Sequence, residues 1–231
     1  MTATNGGSAP PSPVREGGRG VEDELNNRFS GAGAPKACPL RIDLQQIADW
    51  IRPESRVLDL GCGDGALLAH LREHKRCHGY GVEINDDHLA ECVRAGINVI
   101  QSDLDAGLRM FADAMFDTVV LSQTLQAVHN AEGILREMAR VARQGVVSFP
   151  NFGHWKHAMS LLAGRMPVTR HIPYQWYDTP NIHLCTLNDF ETLAAKLELN
   201  ITGRALFADG SSVSVLPALR AALAVYRFEI R

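Results

Sequence analysis

No apolar run in the 231 residues approaches the eighteen that would span a membrane; LPALRAALAV is broken by Arg220. A transmembrane helix is therefore not expected. The N-terminus also lacks the short apolar core of a secretory signal. None of the five cysteines (Cys38, Cys62, Cys77, Cys92 and Cys185) forms a C-x-x-C pair, and their number is odd. That argues against a disulfide framework or a zinc site and suits free thiols in a reducing cytoplasm. There is no basic run, and the net charge is -3, so nucleic acid is not expected as the main partner. No internal repeat is evident. What remains is the composition of an ordinary globular protein, 45% hydrophobic and 21% charged, with one domain's worth of residues to build a core.

The first 37 residues hold fourteen Gly, Pro or Ser and few large apolar side chains. They read as a disordered tail with a short helical turn near Glu22 to Asn27, leaving 38–231 as the folded domain. Within it, RIDLQQIADWI has helix periodicity, with Asp43 and Gln46 at capping-box spacing. Strand and helix then alternate. The strands are Arg56 to Leu60, His78 to Ile84, INVIQSD, FDTVVLSQ and GVVSFP. Between them lie a helix to about His74, DDHLAECVRAG capped by Asn85 or Asp86 and closed by Gly96, and AEGILREMARVAR. In the last of these Ile134, Leu135, Met138 and Val141 share one face. Such alternation implies a parallel sheet covered on both faces. Thr186 and Asp189 would cap LNDFETLAAKLEL, and ITGRALFAD and LAVYRFEI would be the last two strands.

The chemistry is concentrated in VLDLGCGDG, Val57 to Gly65. Val57, Leu58 and Leu60 read as a buried strand, Asp59 sits at its end, and Gly61, Gly63 and Gly65 carry the chain into a helix. Such a turn brings backbone N–H groups close to a ligand. GCGDGA also satisfies the dinucleotide pattern G-x-G-x-x-A, so NAD stays open as an alternative. A pyrophosphate, however, wants a bare helix N-terminus, and Asp59 and Asp64 place two carboxylates there. These suit a cation, and S-adenosylmethionine (SAM) brings a sulfonium and an ammonium. D-x-G-x-G-x-G resembles the first motif of class I SAM-dependent methyltransferases.

That resemblance implies an α/β, Rossmann-like class I SAM-methyltransferase fold: a mostly parallel seven-stranded sheet with helices on both faces and the final strand antiparallel. Asp59, Gly61, Gly63 and Gly65 would cradle the methionine part of SAM or S-adenosylhomocysteine. Glu83, closing the second strand 24 residues after Asp59, would accept the ribose hydroxyls of either SAM or NAD. Asp103 would accept the adenine amino group, or simply cap a helix, with Leu104 flanking the ring. Ser122 and Gln123 would line the pocket after the fourth strand, by analogy with the fold.

The stretch at 150–186 departs from this regularity. Six of the fifteen aromatics fall between Phe149 and Tyr177, and His154, His157, His171 and His183 join them. Placed after the fifth strand, it would lie over the ligand mouth as a lid or a docking surface. No acid lies close enough in sequence to His154 and His157 to suggest a metal site. Nothing ranks His154, Tyr174, Tyr177, Asp178 or His183 as members of a catalytic set.

VLDLGCGDG, GYGVEI, LSQTLQAV, SFPNFGHW, GRMPVT and PYQWYDTPNIHLCT together resemble the MetW family of methionine biosynthesis proteins, from about Pro39 to the C-terminus. The resemblance implies a cytoplasmic, methyltransferase-like partner of MetX, the homoserine O-acyltransferase, rather than an enzyme with an assigned catalytic residue. Amino-group methyltransferases often carry N-P-P-Y or D-P-P-Y after the fourth strand, where this chain reads LSQTLQAV. A SAM pocket without that motif suits a sensor of pathway output, and an active methyltransferase on a small molecule is the alternative.

Overall fold

The computed structural model describes residues 40–230; the expected tail, with its helical turn and Cys38, lies outside them. The chain forms α1 (Ile42–Trp50), β1 (Arg56–Leu60), α2 (Ala66–Lys75), β2 (His78–Glu83), α3 (Asp86–Arg94) and β3 (Val99–Gln101). Next come β4 (Phe116–Ser122), α4 (Ala131–Val141), β5 (Ala142–Pro150) and α5 (Trp155–Leu162). The remainder is α6 (Leu187–Lys196), β6 (Leu199–Ala208), β7 (Ser211–Ser212), α7 (Pro217–Arg220) and β8 (Leu223–Ile230). Single 3-10 turns follow β3 and β4.

The strands lie in the order β3-β2-β1-β4-β5-β8-β6-β7. The five from β3 to β5 are parallel, and β8 is inserted antiparallel between β5 and β6. The sheet thus has eight strands, not seven. The extra one is the two-residue β7, which hairpins onto β6 through Asp209 and Gly210, both in left-handed backbone. It is too short and too polar to register as a strand in sequence. Strand order reverses between β1 and β4, which opens a crevice at their C-terminal ends.

Period-two alternation sorts the strand residues between two cores. Leu58, Leu60, Val119, Leu121, Val147 and Phe149 face α4 and α6. Val57, Val120 and Val146 face α1 and α2, beside Ile47, Ile51, Leu67 and Leu71. Caps fix several helix starts: Asn85 Oδ1 accepts from the amides of Asp87 and His88, and Thr186 and Asp189 form the expected capping box. A Cβ at Gly145 in β5 would overlap the Phe228 ring of β8, so a bare glycine is what lets the inserted strand close against β5.

The capping box expected at Asp43 and Gln46 does not form. Arg41 is the N-cap and makes no side-chain cap. Asp43 stands four residues before Ile47, on the same helical face, so the 3.6-residue period turns its carboxylate inward, where it is 1% exposed.

Candidate cofactor site

Gly61, Gly63 and Gly65 all adopt left-handed backbone, at φ 67°, 56° and 77°. This is the conformation that costs a side-chain-bearing residue most, and three such positions in five residues fold the chain sharply out of β1. The amides of Gly61 and Cys62 donate to the Val82 carbonyl, at 2.8 and 3.1 Å. A Cβ at Gly61 would meet Thr124 Oγ1 at 2.7 Å, and one at Gly65 would meet Cys92 Sγ at 3.0 Å. At Gly63 it would meet nothing within 4 Å. The outer two glycines therefore serve close packing, and Gly63 faces open space.

Glu83 locks this turn to the end of β2. Its Oε2 accepts from the Gly63 amide at 2.8 Å, and Oε1 accepts from Ile84 and Asn85 at 2.9 and 3.0 Å. The carboxylate expected to bind ribose is thus already a backbone anchor, 8% exposed at the rim of the turn.

Asp59 lies behind the glycines at 3% exposure. Among the described residues no hydrogen-bond donor reaches its carboxylate, and burial raises its pKa to about 7, helped by Glu83 and Asp64 and opposed by Arg41. A buried acid without a donor is costly to ionise, and a cation brought to it would relieve that cost. Because this acid holds its proton in the folded chain well above its ordinary value of 3.8, its contribution to stability is full at low pH. It is lost as pH rises towards 7, at up to about 1.4 kcal/mol per unit. The buried histidines titrate the other way, since burial lowers the pKa values of His154, His157 and His171. The signature is therefore differential. From pH 5 to 7, Asp59→Asn is expected to gain stability relative to the unaltered chain, measured by urea unfolding; parallel profiles would refute the assignment.

Beside Asp59 is a node that the sequence reading missed. Asp43 Oδ2 accepts from Gln123 Nε2 at 2.8 Å, Ser122 Oγ at 3.1 Å and Ser148 Oγ at 3.2 Å, with Arg41 Nη2 at 3.3 Å. The α1-facing rows explain it: Val57 leads to Asp59, Val120 to Ser122, and Val146 to Ser148. Each row turns polar at its C-terminal end, and α1 sets Asp43 on top. That change in polarity, read with period two, was the available signal. Ser122, expected to line the pocket, has its hydroxyl engaged here. Gln123 is held in left-handed backbone at φ 50°, its amide donating to the Ser148 carbonyl at 2.8 Å.

Asp103 is exposed and caps the 3-10 turn at Leu104–Ala106, its Oδ1 accepting from the Asp105 amide, while Leu104 packs partly on the core. The capping geometry is thus present on an exposed side chain. Cys62 packs 3.8 Å from Cys92, sulfur to sulfur, and burial pushes both thiols up, so they are protonated packing groups.

In the 150–186 stretch the candidate catalytic side chains do not converge. His154 caps α5, His183 Nε2 donates to the His129 carbonyl, and Tyr174, Tyr177 and Asp178 are exposed. Among the described residues no three His, Cys, Asp or Glu side chains gather as metal ligands, and no helix is long and apolar enough to cross a membrane.

Sheet order, glycine turn and acidic crevice are those of the SAM-dependent methyltransferase fold. Solved examples include a SAM-dependent methyltransferase from Archaeoglobus fulgidus, with a TM-score of 0.61 and 18% identity over 80% of this chain and 90% of that one. Another, from Mesorhizobium loti, has a TM-score of 0.58 and 19% identity over 80% and 99%. Within that fold the chain belongs to the MetW family, whose model, described as methionine biosynthesis protein MetW, matches residues 41–228. The bifunctional methionine biosynthesis protein MetXA/MetW of Rhodopirellula baltica is 36% identical over 191 residues, covering 78% of this chain and 31% of that one. The chain spans about a third of the length of the curated relatives it matches.

Proposed function

We propose that this chain is a SAM-binding accessory protein of methionine biosynthesis that supports a cytoplasmic homoserine O-acyltransferase of the MetX type. The observation that carries the partnership is the relative whose name joins MetXA and MetW in one polypeptide. The cofactor reading rests on two features of one turn: Asp59, a buried acid lacking a donor, and Gly63, whose side faces open space. In this reading Asp59 receives the ammonium of SAM or S-adenosylhomocysteine, Gly61, Gly63 and Gly65 pass along its methionine part, and Glu83 holds the ribose. Asp103 meets the adenine amino group, Leu104 flanks the ring, and Ser122 borders the pocket. When bound, SAM supplies an electrophilic methyl group.

Methyl transfer to a small molecule is the second reading, favoured by the SAM-dependent methyltransferases that share the fold. Transfer from SAM needs an acceptor held in line, and a base where the acceptor carries a proton. After β4, where such groups belong, the Ser122 hydroxyl and the Gln123 amide are spent on Asp43. This supports the accessory reading.

The test is homoserine acylation by a purified MetX-type enzyme with and without this chain. A rise of at least about tenfold is expected, with a complex on gel filtration and no S-adenosylhomocysteine released. An unchanged rate without a complex would remove the accessory role; stoichiometric release of S-adenosylhomocysteine with an acceptor would establish the methyltransferase. SAM tuning is read from the same assay, since equal stimulation with and without SAM would exclude a sensor.

A further inference from the structure

The segment after β5 is built inside out. In α5 the side chain turned to the interior is a histidine: His157 is 1% exposed, with Nδ1 at 3.2 Å from the Phe152 carbonyl and Nε2 at 3.2 Å from Thr169 Oγ1. The outward stripe is apolar. Trp155, Met159 and Leu162, at i, i+4 and i+7, are 49%, 57% and 83% exposed. A helix on a monomer's surface shows the reverse pattern. Beyond it Trp176 and Tyr177, in edge-to-face contact at 5.6 Å, are both about 70% exposed. Eleven of the nineteen exposed large apolar side chains among the described residues fall between Trp155 and Leu184, so the exposure is concentrated in one segment.

We propose that this segment, centred on the α5 stripe and the Trp176–Tyr177 pair, is the surface on which the acyltransferase docks. The proposal rests on the partner reading above. Area and charge select the occupant. Five large side chains that each bury on the order of 100 Å² supply about 500 Å², a large share of the roughly 800 Å² per partner that a stable protein interface takes. Tryptophan and tyrosine are the side chains that dominate such interfaces. The ionic groups of 150–186 are Lys156, Arg165 and Arg170 against Asp178 alone, on a chain whose net charge is -3. A second copy of this chain would bring the same basic surface against itself. A partner with an acidic rim around an apolar patch is complementary, and the acyltransferase is the occupant because one relative's name joins MetXA and MetW in a single chain.

The test uses the full chain and the purified MetX-type acyltransferase, with the dissociation constant measured by isothermal titration. Leu162→Asp and Trp176→Asp are each expected to weaken binding by at least about 100-fold. Val93→Asp, at an exposed apolar position on α3, should change it less than twofold. Unaltered circular dichroism and thermal midpoints establish that the variants fold. If the unaltered chain binds and both segment variants bind equally well, the docking surface is wrong and the partner reading stands. If the unaltered chain fails to bind, both fall. If it forms a homodimer that Leu162→Asp disperses, the occupant is a second copy and the proposal is overturned.

Discussion

Replacing Gly63 by leucine is expected to lower SAM affinity by at least about 100-fold while leaving the fold in place. The cost to the fold is that of holding a branched side chain at φ 56°, about 1–2 kcal/mol. In a domain of this size that is a fall of roughly 2–8 °C in the thermal midpoint. Apart from its chain neighbours no protein atom lies within 4 Å of the new Cβ, so the leucine occupies the space assigned to the methionine part of SAM and strains little else. Its amide still donates to Glu83. Gly61→Ala is the contrast: its methyl runs into Thr124 at 2.7 Å, so stability suffers directly. Calorimetric titration with SAM gives the affinity, and an unchanged value in Gly63→Leu would remove the glycine turn as the cofactor cradle.

Glu83→Ala is expected to cost about 2–4 kcal/mol of stability and to abolish SAM binding. The carboxylate accepts from three backbone amides, of Gly63, Ile84 and Asn85, across the junction of two strand ends. Bonds to a charged acceptor are the stronger kind, and donors left beneath a partly buried rim lose their partner without full access to water. Glu83→Gln should recover part of the loss, because its carbonyl still accepts while its amide nitrogen must face an N–H. Urea unfolding measures the difference. A loss below about 0.5 kcal/mol in the alanine variant would mean that the three bonds do not hold the turn.

The two substitutions separate roles that sequence spacing merges. In VLDLGCGDG the three glycines look equivalent, yet two are required by Thr124 and Cys92, and one opens outward. Glu83 was legible as a strand-end acid, 24 residues after Asp59. Its work in bracing the turn was not, because the partners are backbone amides that carry no letter of their own. The order of parallel strands and helices was readable from alternation because apolar periodicity directly reports burial. Asp43 was misread because S/T/D spacing near a helix start is a local signal, whereas its true partners, Ser122 and Ser148, lie 79 and 105 residues away. The α5 helix escaped for a related reason: its apolar stripe faces outward and His157 inward, so an inside-facing pattern was absent.

The insertion of β8 between β5 and β6 has a consequence for how the molecule comes into being. The strand that joins β5 to β6 lies later in the chain than either, so until residues 223–230 are made the β6–β7 hairpin has nothing to connect it to the parallel part of the sheet. Until then β5 presents a bare, apolar edge, the kind of surface that other nascent chains and chaperones recognise. Long-range pairing of this sort slows folding. The sheet is therefore completed only once β8 is available, when a single strand closes both parts at once.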